Sequence, residues 1–400
     1  MSYRMVGYLL GVILSIEAAL LLVPMLTALL YGEPLMPYVF TVLILLAVSV
    51  PALFLKPKES RFYAKDGFVC VAGAWILLSA FGALPFVFSG AIPSYVDALF
   101  ETVSGFTTTG ATILSEIESL PKGILLWRSF THWIGGMGVL VFMLAILPSV
   151  GGQAIHLLRA ETTGPQKGKL VPKMKHSAMI LYAIYFALSV LMAVLLLCTG
   201  MPLYDSIVST FATAGTGGFS VLNDSIAGYN NPAAEWIISV FMVIFGVNFN
   251  LYFFLLLRRY KEVMKNEELR VYLLLCVAAT ATIAWNVWDS FASAEGCIRT
   301  AFFQVASIIS TTGFATADFN LWPVAARMLI LLVIYFAKGG RLSVLAAVSG
   351  ALGQRTSGVT TGVTPGTTDT TGSSTTDSVS TTVTKTGGGG GSRKKTEKTG

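Results

Sequence analysis

Three short Thr/Gly-rich tetrapeptides carry the chemistry available to this chain. They are Thr107-Thr108-Thr109-Gly110, Gly215-Thr216-Gly217-Gly218 and Ser310-Thr311-Thr312-Gly313. Their side chains supply hydroxyls without charge, and their backbones supply closely spaced carbonyl oxygens. Each follows an apolar segment too short to cross a bilayer and lies between two segments long enough to do so. That is the layout of a re-entrant pore loop. Bare backbone at membrane depth is tolerated only where protein buries it or where it lines a watery path. On such a path, rings of carbonyl oxygens replace the hydration shell of an ion such as potassium. For any single copy, an ordinary extracellular turn is the alternative.

The three copies keep a common register. Anchored on Gly110, Gly218 and Gly313, each has a threonine two residues upstream (Thr108, Thr216, Thr311) and an apolar residue ten upstream (Phe100, Val208, Phe303). Thirteen upstream lie Asp97, Asp205 and Thr300. One unit is a span, a short helix, a Thr/Gly loop and a second span, and a recurring unit that cannot close alone implies symmetric assembly around an axis. A ten-residue helix from Asp97 to Phe106 would be about 15 Å long, half the hydrocarbon thickness. Its C-terminal end would aim partial negative charge at a bound cation, and Asp97 and Asp205 near the helix starts are favourable for the same reason. The glycines suit backbone angles that other residues avoid, and the threonine hydroxyls can satisfy nearby backbone groups.

The elements that must position these loops are membrane spans. The chain has 400 residues, of which 54% are hydrophobic and only 12% charged, and its mean hydropathy is +0.71. A soluble domain carries roughly a quarter charged residues, so the fold class is all-α and integral to a membrane. Apolar runs predict eight spans near 5–30, 38–55, 67–89, 123–148, 177–199, 233–257, 269–292 and 322–338. Basic residues crowd the connections after the second, fourth and sixth spans (Lys56 to Lys65, Arg159 to Lys175, Arg258 to Arg270), whereas the opposite connections carry Glu33, Asp97, Glu101, Glu116, Glu118, Asp205, Asp224, Glu235, Asp289, Glu295 and Asp318. The positive-inside rule then places the basic loops, the N-terminus and the C-terminal tail in the cytoplasm and all three Thr/Gly loops outside. Membrane orientation accounts for the net charge of +6, so no nucleic-acid partner is expected and membrane lipid is. The Thr/Ser/Gly-rich stretch from Gly353 to Gly400 is expected to be disordered.

Other polar residues admit sharper and plainer readings. Arg128 and His132, one turn apart, either tune ions at a pore mouth or snorkel and bond a neighbouring loop. Gly135-Gly136-Met137-Gly138 lies within a span with no preceding strand, which indicates close helix packing rather than a nucleotide loop. Asn248 either lines the path or makes a helix–helix contact. Arg299 either pairs with Glu295 or Asp318 or lowers cation density at the mouth. The histidines His132, His156 and His176 form no HExxH spacing, the acids cluster in outer connections, and the four cysteines are scattered without metal-ligand or disulfide spacing. No enzyme activity, tightly bound cofactor or transition metal is expected.

The stretches Thr102 to Thr112 (TVSGFTTTGAT), Trp127 to Gly138 (WRSFTHWIGGMG) and Arg159 to Pro165 (RAETTGP) resemble the TrkH type of the Trk/Ktr/HKT potassium-transporter superfamily. So do Thr216 to Ser220, Gly246 to Phe249 and Ser310 to Phe314. The resemblance covers about residues 1–336. It implies two leading helices (1–60), a first pore unit (61–160), a second (161–262), a third (263–338) and a low-complexity tail (339–400). It further implies potassium uptake across a bacterial inner membrane, with potassium as substrate at a filter of Thr107, Thr108, Thr109, Gly110, Gly215, Thr216, Gly217, Gly218, Ser310, Thr311, Thr312 and Gly313. Glycine at the first filter position implies potassium over sodium. A homodimer is implied, and a cytosolic TrkA-type nucleotide-binding regulatory subunit as partner. Whether transport is channel-like or ion-coupled stays open.

The family pattern has a fourth unit and a Gly/Ser/Thr-rich gate loop in the third. Here Leu329 to Ala337 is followed by Lys338-Gly339-Gly340-Arg341, and a fourth filter glycine would fall beyond residue 400. A truncation or a reading-frame shift near Phe336 is therefore expected. The alternative function is a non-conducting membrane protein with an assembly or scaffold role.

Overall fold

Prolines, and one Gly-Val-Asn step, decide where the long apolar runs break. The computed structural model describes residues 3–55, 64–138 and 174–333, all within one unit spanning Met1–Ala351. The first run forms α1 (Tyr3–Leu20) and α2 (Leu22–Leu30), interrupted at Leu21. Pro24 has no N–H for the Leu20 carbonyl and its ring crowds that oxygen, which favours a break there. α3 (Met36–Leu53) returns alongside α1. The next run is α4 (Ala64–Gly82) and α5 (Leu84–Phe88), broken just before Pro85 for the same reason. The break turns the Phe86 N–H to Ala83 and leaves the Gly82 carbonyl to accept the Trp127 indole N–H at 2.9 Å.

The chain continues as α6 (Tyr95–Phe106), α7 (Lys122–Gly136), α8 (Met174–Cys198), α9 (Leu203–Ala214), α10 (Pro232–Gly246) and α11 (Phe249–Leu256). It ends, among the described residues, with α12 (Tyr260–Lys265), α13 (Glu267–Val287), α14 (Ala294–Ile309) and α15 (Val324–Val333). Helices and turns account for the described residues, and no strand occurs among them. The all-α membrane fold expected from composition is the one observed.

Among the described residues, five segments are long and apolar enough to cross a bilayer: 3–30, 36–53, 66–88, 179–198 and 267–290. They match five of the eight expected spans to within a few residues. The expected span 233–257 is instead bent by 89° between α10 and α11. Asn248 makes the break: its side-chain oxygen accepts the Asn250 N–H at 3.1 Å and caps α11, as asparagine does at helix starts. Asn248 therefore serves as a cap at the bend. Gly246 is pressed at the same bend, where a Cβ would meet the Tyr272 hydroxyl and approach Ser310. The expected spans 123–148 and 322–338 are described only as α7 and α15. The basic loop from 159, the gate position and the low-complexity tail lie outside the described residues.

The interior is aromatic. Trp127, Phe130, Trp133, Tyr185, Phe241 and Phe245 join one cluster between α7, α8 and α10. Helix approach elsewhere relies on small residues: a Cβ on Gly11 of α1 would fall 2.6 Å from Ala52 Cβ of α3. In lipid such close packing, rather than a hydrophobic drive, holds helices together. Large apolar residues such as Phe40, Ile76, Val194, Val277 and Trp285 stay exposed, which suits a hydrocarbon surround and would be unfavourable in water.

Candidate functional site

Each Thr/Gly loop is the C-terminal exit of a short helix. α6 and α9 have 12 residues each, about 18 Å, which is little over half the hydrocarbon core. Asp97 and Asp205 lie in their first turns, where carboxylates complement the helix dipole. The third helix departs from the expected register. α14 has 16 residues and starts at Ala294, so Thr300 lies inside it and Glu295 is the first-turn acid. The extra turn is permitted by Ser293, whose hydroxyl accepts the Gly296 N–H at 3.1 Å and fixes an earlier start.

All three helices end in the same way. The constant threonines adopt left-handed backbone, with φ of 54° at Thr108, 54° at Thr216 and 61° at Thr311. The Thr108 N–H donates to Gly105 O at 3.1 Å and the Thr109 N–H to Ser104 O at 2.9 Å. Thr216 to Thr213 (3.0 Å) and Gly217 to Ala212 (2.9 Å) repeat the pair, as do Thr311 to Ile308 (3.0 Å) and Thr312 to Ser307 (2.8 Å). These are Schellman caps, whose left-handed position glycine normally occupies. A β-branched residue there is strained by roughly 1–2 kcal/mol, so each loop is held out of its locally preferred shape. Two residues on, Gly110, Gly218 and Gly313 have φ of 76°, 77° and 90°, where glycine carries no such penalty. The hydroxyls act as expected on the backbone and on each other. Thr107 and Ser310 donate to the Val103 and Ala306 carbonyls at 2.7 and 2.6 Å, and pair with Thr109 and Thr312 at 2.8 and 2.7 Å.

The loops dock on one another in sequence order. A Cβ on Gly110 would strike the Gly217 carbonyl, and one on Gly218 would strike the Thr312 carbonyl. Gly313 has nothing within 4 Å of that position among the described residues. The glycine pair in α7 permits this convergence: Gly135 is pressed against the Phe106 carbonyl and Gly136 against Gly215. Close packing was the expected use of these glycines, and its targets are the C-terminal ends of α6 and α9.

Sequence reasoning did not find the side chains that brace the loops from behind. Glu101 Oε1 accepts from Arg128 Nε at 2.6 Å and from Thr112 Oγ1 at 2.9 Å, and Oε2 accepts the Ile113 N–H at 3.1 Å. Arg128 also donates to Ser220 O at 3.3 Å and lies 3.6 Å over the Phe219 ring. His132 stacks on the same ring, its centroid 4.0 Å from that of Phe219, and fills the space beside Gly217. One guanidinium thus holds the chain leaving the first loop, through Glu101, and the chain leaving the second. Arg128 bonds neighbouring loops, as its plainer reading had it, but it is buried and does not snorkel. Breaking such a buried pair costs about 3–5 kcal/mol. The repeat held the clue: nine residues before the three glycines stand Glu101, Ser209 and Gln304, polar in every copy. Gln304 likewise ties its helix to the outgoing chain, donating to Ala317 O at 3.0 Å.

Other charges are now placed. Arg299 pairs with Glu295 at 2.7 Å and with Glu235 at 2.9 Å, while Asp318 instead caps a turn by accepting the Asn320 N–H. The loops that follow the first and second Thr/Gly segments are tied by Asn223, which accepts the Ile117 N–H and donates to Glu116, both at 3.0 Å. The Asn223 amide, aided by the Glu118 N–H, holds the Glu116 carboxyl below its ordinary titration range. Glu17, by contrast, is a buried acid inside the first span, apart from the outer connections where the acids cluster. The four cysteines are free, as their spacing implied.

Residues 36–345 match the family model of TrkH, described as a cation transport protein. The chain belongs to the TrkH family. The match runs past the break expected near Phe336. The Trk system potassium uptake protein TrkH of Salmonella typhimurium is 34% identical over 361 residues, covering 86% of this chain and 74% of the relative. TrkG of Escherichia coli K12, of the same system, is 32% identical over 339 residues, covering 83% and 70%. Among solved structures, the crystal structure of the potassium transporter TrkH from Vibrio parahaemolyticus superposes with a TM-score of 0.75 at 30% identity, covering 89% of this chain and 76% of that one. A TrkH-family chain is a multi-pass membrane transport protein, not an enzyme.

Proposed function

We propose that this chain takes up potassium across the bacterial inner membrane, through a path lined by the backbone carbonyls of 107–110, 215–218 and 310–313. The observation that carries the reading is the loop-on-loop docking. The Gly217 and Thr312 carbonyls approach the glycines of the preceding loops, so carbonyl-bearing turns from three helices gather at one place behind dipoles that favour a cation. Potassium is the substrate, as the names of the TrkH and TrkG relatives indicate. The pore units are 61–160, 161–262 and 263–338, after two leading helices. The chain works as a homodimer and meets a TrkA-type nucleotide-binding subunit through its basic cytoplasmic connections.

The test is rubidium uptake by the full chain in liposomes, with rescue of a potassium-uptake-deficient bacterium at low potassium. Uptake is expected to fall at least tenfold in Gly110→Ser and Gly218→Ser, where the added side chain meets a neighbouring carbonyl at positive φ. Undiminished uptake in both variants would count against the filter. No uptake by the parent chain at all, with the protein folded, would favour the scaffold role.

A further inference from the structure

Glu17 occupies an unusual position for an acid. It lies about 20 Å along the helix from either end of the span 3–30, which is near mid-membrane. The residue is 1% exposed, and neither carboxyl oxygen has a hydrogen-bond partner among the described residues. Its Oε1 rests against Gly82, where a Cβ would lie 3.1 Å from it and 3.0 Å from both Thr102 Cγ2 and Phe106 Cε2. The carboxyl therefore reaches from the leading helix to the α4–α5 break, where Gly82 also meets side chains of α6.

Among the described residues, no charge stands by to balance it. α1 itself carries Tyr3, Arg4 and Tyr8, the nearest of them more than two turns away. α2 has no titratable residue. α3 has Tyr38, whose hydroxyl faces Gly123 of α7. α4 has Lys65, Asp66 and Cys70, three or more turns before Gly82. α6 has Tyr95, Asp97 and Glu101, and Glu101 is already bonded to Arg128, Thr112 and Ile113. No ion pair to Glu17 occurs among the described residues. An isolated carboxylate at this depth is strongly disfavoured. An alkali cation needs several oxygen ligands, but the atoms around Gly82 include a threonine methyl and a phenyl edge. A proton needs only the carboxyl.

We infer that Glu17 is a proton-binding site behind the first pore helix, carrying its proton at neutral pH and releasing it to alkaline solution at the expense of the packing of α1 against Gly82 of α4. On release the carboxyl O–H bond breaks, the proton passes to water or hydroxide, and an unpaired negative charge remains behind the first loop. The inference does not depend on what the path conducts.

The experiment compares infrared spectra of the full chain and Glu17→Gln in lipid nanodiscs at neutral pH, in light and heavy water. Glutamine keeps the size of the side chain and mimics its neutral form. The parent chain is expected to show a deuterium-sensitive protonated-carboxyl stretch that the variant has lost. Its thermal midpoint should also fall as pH rises above neutral, while that of the variant stays level. Identical carboxyl regions in the two spectra would overturn the proposal. So would a carboxylate band that responds to added potassium or sodium, which would mark a metal-ion site.

Discussion

Thr216 shows what the filter-like turns ask of single residues. Its φ of 54° is maintained by the Schellman bonds around it and by the His132 ring packed on Gly217. Thr216→Gly relieves about 1–2 kcal/mol of left-handed strain and gives back roughly 0.5–1 kcal/mol in lost backbone entropy. We expect thermal unfolding to show a variant at least as stable as the parent, and up to about 1.5 kcal/mol more so. We also expect its preference for rubidium over sodium in a competition assay to be weaker, because the carbonyls on either side are less constrained. Strain kept at a functional turn behaves this way. A destabilised variant of unchanged selectivity would refute this account. The constancy of Thr108, Thr216 and Thr311 was legible from register alone. Their left-handed backbone was not, because local preference for threonine argues against it and only the cap geometry overrides that preference.

At the scale of elements, span positions follow from composition and span interruptions do not. The run 233–257 reads as one helix because its residues are apolar throughout, and nothing in hydropathy distinguishes a capping Asn248 from a pore-facing one. The brace of Glu101 and Arg128 was hidden for a related reason: its partners lie on α6, α7 and two outgoing loops, brought together only by folding. Asn223 offers a test of such loop-to-loop ties. Because the folded state lowers the Glu116 titration range, this contact adds stability above the ordinary carboxylate pKa and loses it as pH falls through the lowered one. Asn223→Ala removes that increment. The gap in thermal midpoint between parent and variant should therefore narrow as pH falls from neutral to below about 4, and a gap independent of pH would exclude this role for the amide.

For the whole molecule, charge asymmetry was the most readable property, and it predicts sidedness. Ser119 and Lys261 are both exposed, on connections of opposite predicted side. In a Cys198→Ser background, an impermeant maleimide should label Ser119→Cys in intact cells and Lys261→Cys only after the membrane is opened. The reverse pattern would invert the topology. The threefold repeat was likewise evident, but not the manner in which the loops lean on one another, since that depends on contacts between residues far apart in sequence. That leaning has a consequence for biosynthesis. Gly110 takes its surroundings from Gly217, which lies 107 residues later (217 − 110), and at about 5–20 residues per second the ribosome needs roughly 5–20 s to supply it. The first two loops thus each wait for the next to be made, so a half-synthesised chain in the bilayer lacks the docked arrangement of the finished loops.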